Sequence, residues 1–386
     1  MVKKCFILIS IITLMSSSLN AQTYERYKKL NDTIIQSKNL GYEKKFSIIV
    51  PKEWQKETNI HFPLIIVFDR QNQRSNNFII HTIDYLTSTE QMPSSVIINI
   101  ESEQRYRYLE TQYKTSDPNG LAFENEKFVF EELIPLVEKE YFASDFRLFI
   151  GHSRYGYFTT SLFNTHIKDL SGVIAISPFF TQKNVDLTDS IKKLNVGDYK
   201  SNKYLRFGIG NDFPDDYKKM DSVISQNIQN SFLNIKGLLL KKADHNATPG
   251  LIISNALYEI FEDWSAIQSN YLSKNINNME GMPSIDKEIF SKYGVKINLS
   301  LGVLNGKGWY YYNEGQYDKA IQAWEILMDV YPNFSEGYLY IIDAQIHLKH
   351  DYNKTIKKFT KSLSYSEFYS EKEKKELELE MQEIIK

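Results

Sequence analysis

Cysteine is almost absent: Cys5 is the only one in 386 residues. Past the first segment the chain therefore has no disulfide and no thiol nucleophile. Charge of one sign is missing as well. The 46 Lys and Arg stand against 48 Asp and Glu, which excludes bulk electrostatic capture of nucleic acid. After Met15 no stretch approaches the ~18 apolar residues of a membrane helix, so no span is expected in the mature chain. No His, Cys, Asp and Glu cluster has metal-ligand spacing, and no glycine pattern makes a phosphate loop or dinucleotide fingerprint. Neither a metal nor another cofactor is expected.

A hydrophobic share of 42% with 24% charged residues permits a sizeable core, and the length suggests two domains. The 26 Tyr and 23 Phe belong mostly to core and rim, with a few free to line a cleft. Lys3 and Lys4 precede an apolar run from Cys5 to Met15, and the small, polar Ser16 to Ala21 follows. This order predicts a secretory signal over 1–21 and an exported chain, periplasmic or secreted.

From about residue 44 strand-like and helix-like segments alternate. β-rich runs occur at Phe46–Val50, Leu64–Phe68, Val96–Ile100, Arg147–Ile150, Val173–Ile176, Leu205–Ile209 and Ile235–Leu240. Helical patterns cover Glu124–Tyr141, Tyr155–His166, Asp216–Gln229 and Pro249–Ser265. The alternation predicts an α/β domain over 22–265, a mostly parallel sheet with helices on both faces. Chemistry then collects at the C-terminal ends of the strands. Residues 266–297 are polar and rich in Asn and Ser, and read as a linker. Over 298–386 the pattern is helical. Gly308, Tyr311, Ala320, Trp324 and Pro332 have tetratricopeptide spacing, and Tyr317, Ala320, Ile321 and Trp324 recur as Tyr352, Thr355, Ile356 and Phe359. A small all-α repeat domain is expected there, capped by a helix from Glu371 that is charged all round. Such repeats are a possible surface for a protein partner. Tyr310, Tyr311 and Tyr312 are the residues expected on the rim of a cleft, and a chain ending near Asn270 is expected to fold.

The stretch Phe149-Ile150-Gly151-His152-Ser153-Arg154-Tyr155-Gly156 ends a strand, turns sharply at Ser153 and starts a helix. That is a nucleophile elbow, which lifts a serine oxygen above the sheet edge and offers the next N–H, that of Arg154, to an oxyanion. On such a fold the acid and then the histidine follow along the chain. His61, His81 and His152 come too early, His166 lies on the elbow helix, and His347 and His350 lie in the repeats, which leaves His245. No glutamate lies between Ser153 and His245, and Asp212, just past a strand, is the best-placed acid. Asp215 and Asp216 follow in the same loop, where capping of the next helix is the simpler role; Asp244 adjoins His245 and should diverge from it. The second oxyanion donor is expected in Asp69-Arg70-Gln71-Asn72, from the N–H of Arg70 or Gln71.

With Leu64–Asp69, the run Glu131-Glu132-Leu133-Ile134-Pro135, Glu138-Lys139-Glu140-Tyr141, the elbow and the Asp212 and His245 loops, residues 44–265 resemble the esterase D-like family of α/β-hydrolases. That family includes feruloyl, acetyl and siderophore esterases. The resemblance implies hydrolysis of a small-molecule or glycan-linked carboxylic ester through an acyl-enzyme, without cofactor. One position departs from it. The family elbow reads G-H-S-x-G-G, and Tyr155 stands where the first glycine of the pair belongs. Two readings follow: an exported serine esterase with an appended module, or a degenerate hydrolase serving as a binding scaffold through its repeats.

Overall fold

A computed structural model of the chain describes residues 24–56, 60–273 and 278–386; the expected signal at 1–21 lies outside the described residues. One sheet holds β1 (Tyr27–Lys29), β2 (Thr33–Gln36), β3 (Glu43–Pro51), β4 (Phe62–Val67), β5 (Val96–Ile100), β6 (Ala143–His152) and β7 (Gly172–Ile176). A ribbon of β8 (Thr181–Gln182) and β9 (Val185–Asp186) stands apart, and β10 (Lys203–Ile209) and β11 (Leu233–Leu239) complete the sheet. Its order is β1-β3-β5-β4-β6-β7-β10-β11, with β2 also on β3. From β5 to β11 all pairings are parallel, whereas β3 runs antiparallel to β5 and carries β1 and β2 antiparallel. Every residue of β4, β5, β7 and β10 is buried, as β-branched runs require when both faces are covered.

The covering helices are α1 (Gln73–Ser88), the short α2 (Gln104–Arg107), α3 (Ala122–Lys127), α4 (Ile134–Tyr141), α5 (Arg154–Thr165), α6 (Leu187–Lys193), α7 (Pro214–Asn227) and α8 (Thr248–Ser273). A π-helical turn at Phe128–Leu133 joins α3 to α4. This is an α/β-hydrolase-like core. An all-helical region follows: α9 (Asn278–Tyr293), α10 (Leu301–Asn313), α11 (Tyr317–Val330), α12 (Glu336–His347), α13 (Asn353–Tyr365) and α14 (Glu371–Ile384). Among the described residues no helix is long and apolar enough to cross a membrane.

Three expectations are corrected here. Of the stretch 266–297 expected to be an irregular linker, residues 266–273 and 278–293 are helical, the first because Ile260, Trp264, Ile267 and Tyr271 carry one buried stripe to the end of α8. The Asn and Ser of that segment gave it a polar composition without breaking the stripe. The last helix is not charged all round: Leu377 is buried, and Met381 and Ile384 pack against the core. Nor do the three tyrosines reach a cleft. Tyr311 is buried, the Tyr312 hydroxyl donates to Asp343, and Tyr310 is exposed on the helical stack.

The helices close on the sheet at its strand-start end. The Trp264 N–H donates to the Tyr293 hydroxyl at 3.0 Å, and its indole N–H to the Asn298 carbonyl at 3.2 Å. Phe146, early in β6, packs on Phe261 and Tyr293 with ring centroids 5.4 and 5.8 Å away. The buried Asn333 donates to the Glu53 carbonyl at 3.0 Å. Ser153 lies seven residues beyond Phe146 on the same strand line, a distance of about 23 Å at strand rise. The opposite end of the sheet is thus left to loops.

Candidate active site

At that end β6 passes into α5 through Ser153, whose φ of 61° and ψ of −117° make the sharp turn. The Ser153 N–H donates to the Ile176 carbonyl at 2.8 Å, which ties the elbow to the end of β7. Position 151 must be glycine, since a Cβ there would stand 2.2 Å from the Tyr155 carbonyl oxygen. Two strands on, β10 ends at Ile209, and the Asn211 N–H donates to the Ala243 carbonyl at 2.8 Å. That bond clasps the loop after β10 to the loop after β11. Within the clasp the His245 Nδ1–H donates to Asp212 Oδ2 at 2.6 Å. Burial raises the Asp212 carboxyl, but the hydrogen bond from His245 more than offsets it and leaves the pKa below its ordinary value.

His245 is held from two further directions. Its carbonyl accepts from Thr248 Oγ1–H at 2.9 Å and from His152 Nε2–H at 3.2 Å, and the His152 ring stacks on its own at 4.7 Å. Burial, aided by the proximity of His245, pushes the His152 imidazole down to about 4, so it stays neutral beside the His245 ring. Sequence order dismissed His152 as too early; its place next to the serine was the available signal. Asp212 and His245 are therefore brought together, and the ring stacked on His245 belongs to His152, the residue before Ser153 at the elbow. Among the described residues no hydrogen bond joins Ser153 Oγ to His245.

The other aspartates are engaged elsewhere. Asp216 accepts the Phe180 N–H at 2.7 Å, Asp215 is exposed and pairs with Lys218, and Asp244 accepts from the N–H groups of Asn246 and Ala247 in its own turn. Asp215 and Asp216 lie in the first turn of α7 but make no side-chain cap at its N-cap, Phe213.

Of the expected oxyanion donors, the Arg154 N–H opens α5 and has no intrahelical acceptor. The Arg70 N–H is spent: it donates to the Ile100 carbonyl at 2.9 Å, because β5 runs alongside β4 and its last carbonyl reaches the next residue out. Arg70 is thereby removed from the expected pair, while the Gln71 N–H has no hydrogen-bond acceptor among the described residues. The loop is pinned in an unusual shape. Asp69 has φ of 70° and is buried, with Arg107 Nε and Nη2 donating to it at 2.7 and 2.6 Å. Gln71 donates to Asp69 at 2.5 Å and accepts the Ser102 N–H at 2.9 Å.

Tyr155 belongs to the same construction. Its ring is fully buried and stacked on Phe68 at 5.1 Å, and its hydroxyl donates to Glu110 Oε2 at 2.5 Å and meets Ser102 Oγ. Glu110 is itself completely buried. It accepts from Lys44 Nζ at 2.8 Å, Tyr42 OH at 2.6 Å and Ser102 Oγ at 2.6 Å. Burial favours the neutral acid, but the Lys44 charge and these donors outweigh it and hold the Glu110 pKa below its ordinary value. The tyrosine that replaces the family glycine thus joins the elbow helix to Ser102, and through Ser102 to the Gln71 loop. No local pattern in the sequence announced Glu110 or Lys44 as buried.

Beside Gln71 and His152 a groove of about 850 Å³ opens, lined also by Arg74, Phe78, Asn246 and Pro249. Among the described residues no group of three or more His, Cys, Asp or Glu is arranged to hold a metal.

A family model described as "Putative esterase" matches residues 37–241. Among solved structures, an IroE-like serine hydrolase from Shewanella oneidensis is 16% identical, with 79% of this chain and 99% of that one covered at a TM-score of 0.60. An uncharacterised protein from Capnocytophaga ochracea is 12% identical, covering 92% of this chain and 99% of its own at a TM-score of 0.57. The second likeness takes in helices of the C-terminal region as well as the sheet. At these identities both likenesses concern the fold. No curated protein matches the sequence.

Proposed function

We propose that this chain, which belongs to the family described as "Putative esterase", hydrolyses carboxylic esters with Ser153 as nucleophile, His245 as base and Asp212 as its orienting acid. The observation that carries this reading is the 2.6 Å bond from His245 Nδ1–H to Asp212, with the His245 ring stacked on His152, whose neighbour Ser153 has elbow geometry. In the reaction His245 Nε2 takes the Ser153 hydroxyl proton as Oγ bonds to the carbonyl carbon. The Arg154 and Gln71 N–H groups receive the oxyanion. Collapse breaks the bond to the alcohol oxygen, which leaves with the proton from His245. Water then attacks the acyl-serine by the same route in reverse and releases the acid. Asp212 keeps Nδ1 protonated throughout and stabilises the imidazolium.

The reading extends to the rest of the chain. The basic and apolar start supports export to the periplasm or beyond. The fit of Gly308 against the Trp324 indole, where a Cβ would stand 2.1 Å from Nε1, supports tetratricopeptide-like packing of α10 on α11. The place of Tyr155 in the Glu110 network supports an elbow built around it, and so the active reading over a degenerate scaffold. The test is labelling by a fluorophosphonate together with turnover of short 4-nitrophenyl esters. Wild type should do both, and Ser153→Ala should do neither while keeping its melting temperature. Turnover by Ser153→Ala at most of the wild-type rate would refute the assignment.

A further inference from the structure

The arginines near the strand ends are nearly all neutralised. Arg70 pairs with Asp32 and lies 3.9 Å from Glu101, Arg105 pairs with Glu103 at 2.9 Å, and Arg107 is bidentate on Asp69. Arg74 pairs with no carboxylate among the described residues, but it is exposed and well solvated. Arg154 differs from all of these. It is half-buried and follows the serine directly, and among the described residues no carboxylate forms an ion pair with it. Its guanidinium lies 4.1 Å from the centroid of the Tyr108 ring, which is itself exposed at its outer side. Tyr108 also hydrogen-bonds the Arg154 side chain, and a guanidinium so held is pre-organised and loses little entropy when an anion arrives. Burial draws the Arg154 pKa below its ordinary value, so the charge sits where water solvates it poorly.

We infer that Arg154 recognises a carboxylate on the substrate, so that the preferred substrates are esters carrying a carboxylate near the scissile bond. The inference rests on the esterase reading for its site and adds the substrate class. A planar carboxylate accepts two parallel N–H donors from a guanidinium, which a neutral ester of the same length does not. Two sides of the ester are open to it, the acyl chain and the alcohol, and both are tested.

Full-length protein is assayed on two matched pairs: 4-nitrophenyl hemiglutarate against 4-nitrophenyl valerate, and 4-carboxyphenyl acetate against phenyl acetate. Wild type should favour the charged member of one pair by about ten- to a hundredfold in kcat/KM, mainly through KM. The pair that responds tells which side of the ester faces Arg154. Arg154→Gln should erase that preference whatever its effect on the neutral ester, and Arg154→Lys should keep part of it. A preference that is absent in wild type, or unchanged in Arg154→Gln, overturns the inference. Binding of 4-nitrophenyl hemiglutarate to Ser153→Ala, with and without Arg154→Gln, separates the two readings. A tenfold loss of affinity in a protein whose wild type never turns over esters would keep the carboxylate site and sink the esterase. Turnover without charge preference would do the reverse.

Discussion

The strand ends around Ser153 and the helices after residue 300 are both densely buried, yet different forces hold them. Around the serine, the buried groups are charged or polar and each depends on a partner: Glu110 on Lys44, Tyr155 and Ser102, and Asp69 on Arg107 and Gln71. Among α10 to α13 the fit is mostly steric, with Ala320, Trp324, Leu327, Leu339 and Ile342 fully buried. Polar networks fix direction and are intolerant of a lost partner, whereas apolar packing responds to volume. The first suits a site where an N–H must point at one place. The second suits a support.

The strongest way to break this contrast is to remove the support. A chain of residues 22–270 keeps every strand-end residue but strips Tyr293 and Asn298 from Trp264 and Asn333 from Glu53. It should lose its cooperative thermal transition by circular dichroism and with it fluorophosphonate labelling. Sequence alone suggested that it would fold; a sharp melt and full labelling would restore that view. Asp212→Asn should lower kcat by about 10²–10⁴ by misplacing the histidine tautomer, with the melting temperature nearly unchanged. Asp215→Asn and Asp216→Asn should do far less, and a large loss at Asp216 alone would reassign the acid.

Acidity separates the two regions again. His152 is neutral in the fold down to about pH 4, while in the unfolded chain it takes a proton near 6.5. Between those values the unfolded state binds more protons, so this contribution to stability is complete above about 6.5 and lost as pH falls towards 4. The loss is on the order of 3 kcal/mol. Denaturant titrations at pH 7 and pH 4.5 should show most of it in wild type and little of it in His152→Asn. The smallest effects sharpen the contrast most. Tyr155→Phe leaves Glu110 and Ser102 short of a partner and should cost about 1–3 kcal/mol along with a several-fold fall in kcat. Gly308→Ala pushes a methyl group into Trp324 and should cost a similar amount with kcat intact. Equal kinetic effects of the two would erase the distinction.

The sheet's inner strands and the elbow turn were readable in the sequence because each has a local signature, an unbroken β-branched run or a sharp turn just past one, and polar residues just past such runs suggested the pairing of Asp212 with His245. What escaped has none. β1 and β2 are short and partly exposed, and exist only by pairing with β3. α1 is built from Asn, Thr and Ile, weak helix formers, and is held by packing on α8. That the Arg70 N–H is occupied depends on where β5 ends beside it, a matter of register. Glu110 reads as an ordinary surface acid until Lys44, 66 residues earlier, is laid against it.

The clasp between Asn333 and the Glu53 carbonyl joins points 280 residues apart. Contacts of such separation form late, since the entropy of closing the intervening chain must be met before the contact gives anything back. Glu53, which also pairs with Arg26, follows β3, and the helical region that carries Asn333 is synthesised much later. The sheet edge therefore stays incompletely covered until the segment that carries Asn333 has been made. Covering of that edge is paced by the helices rather than by the sheet.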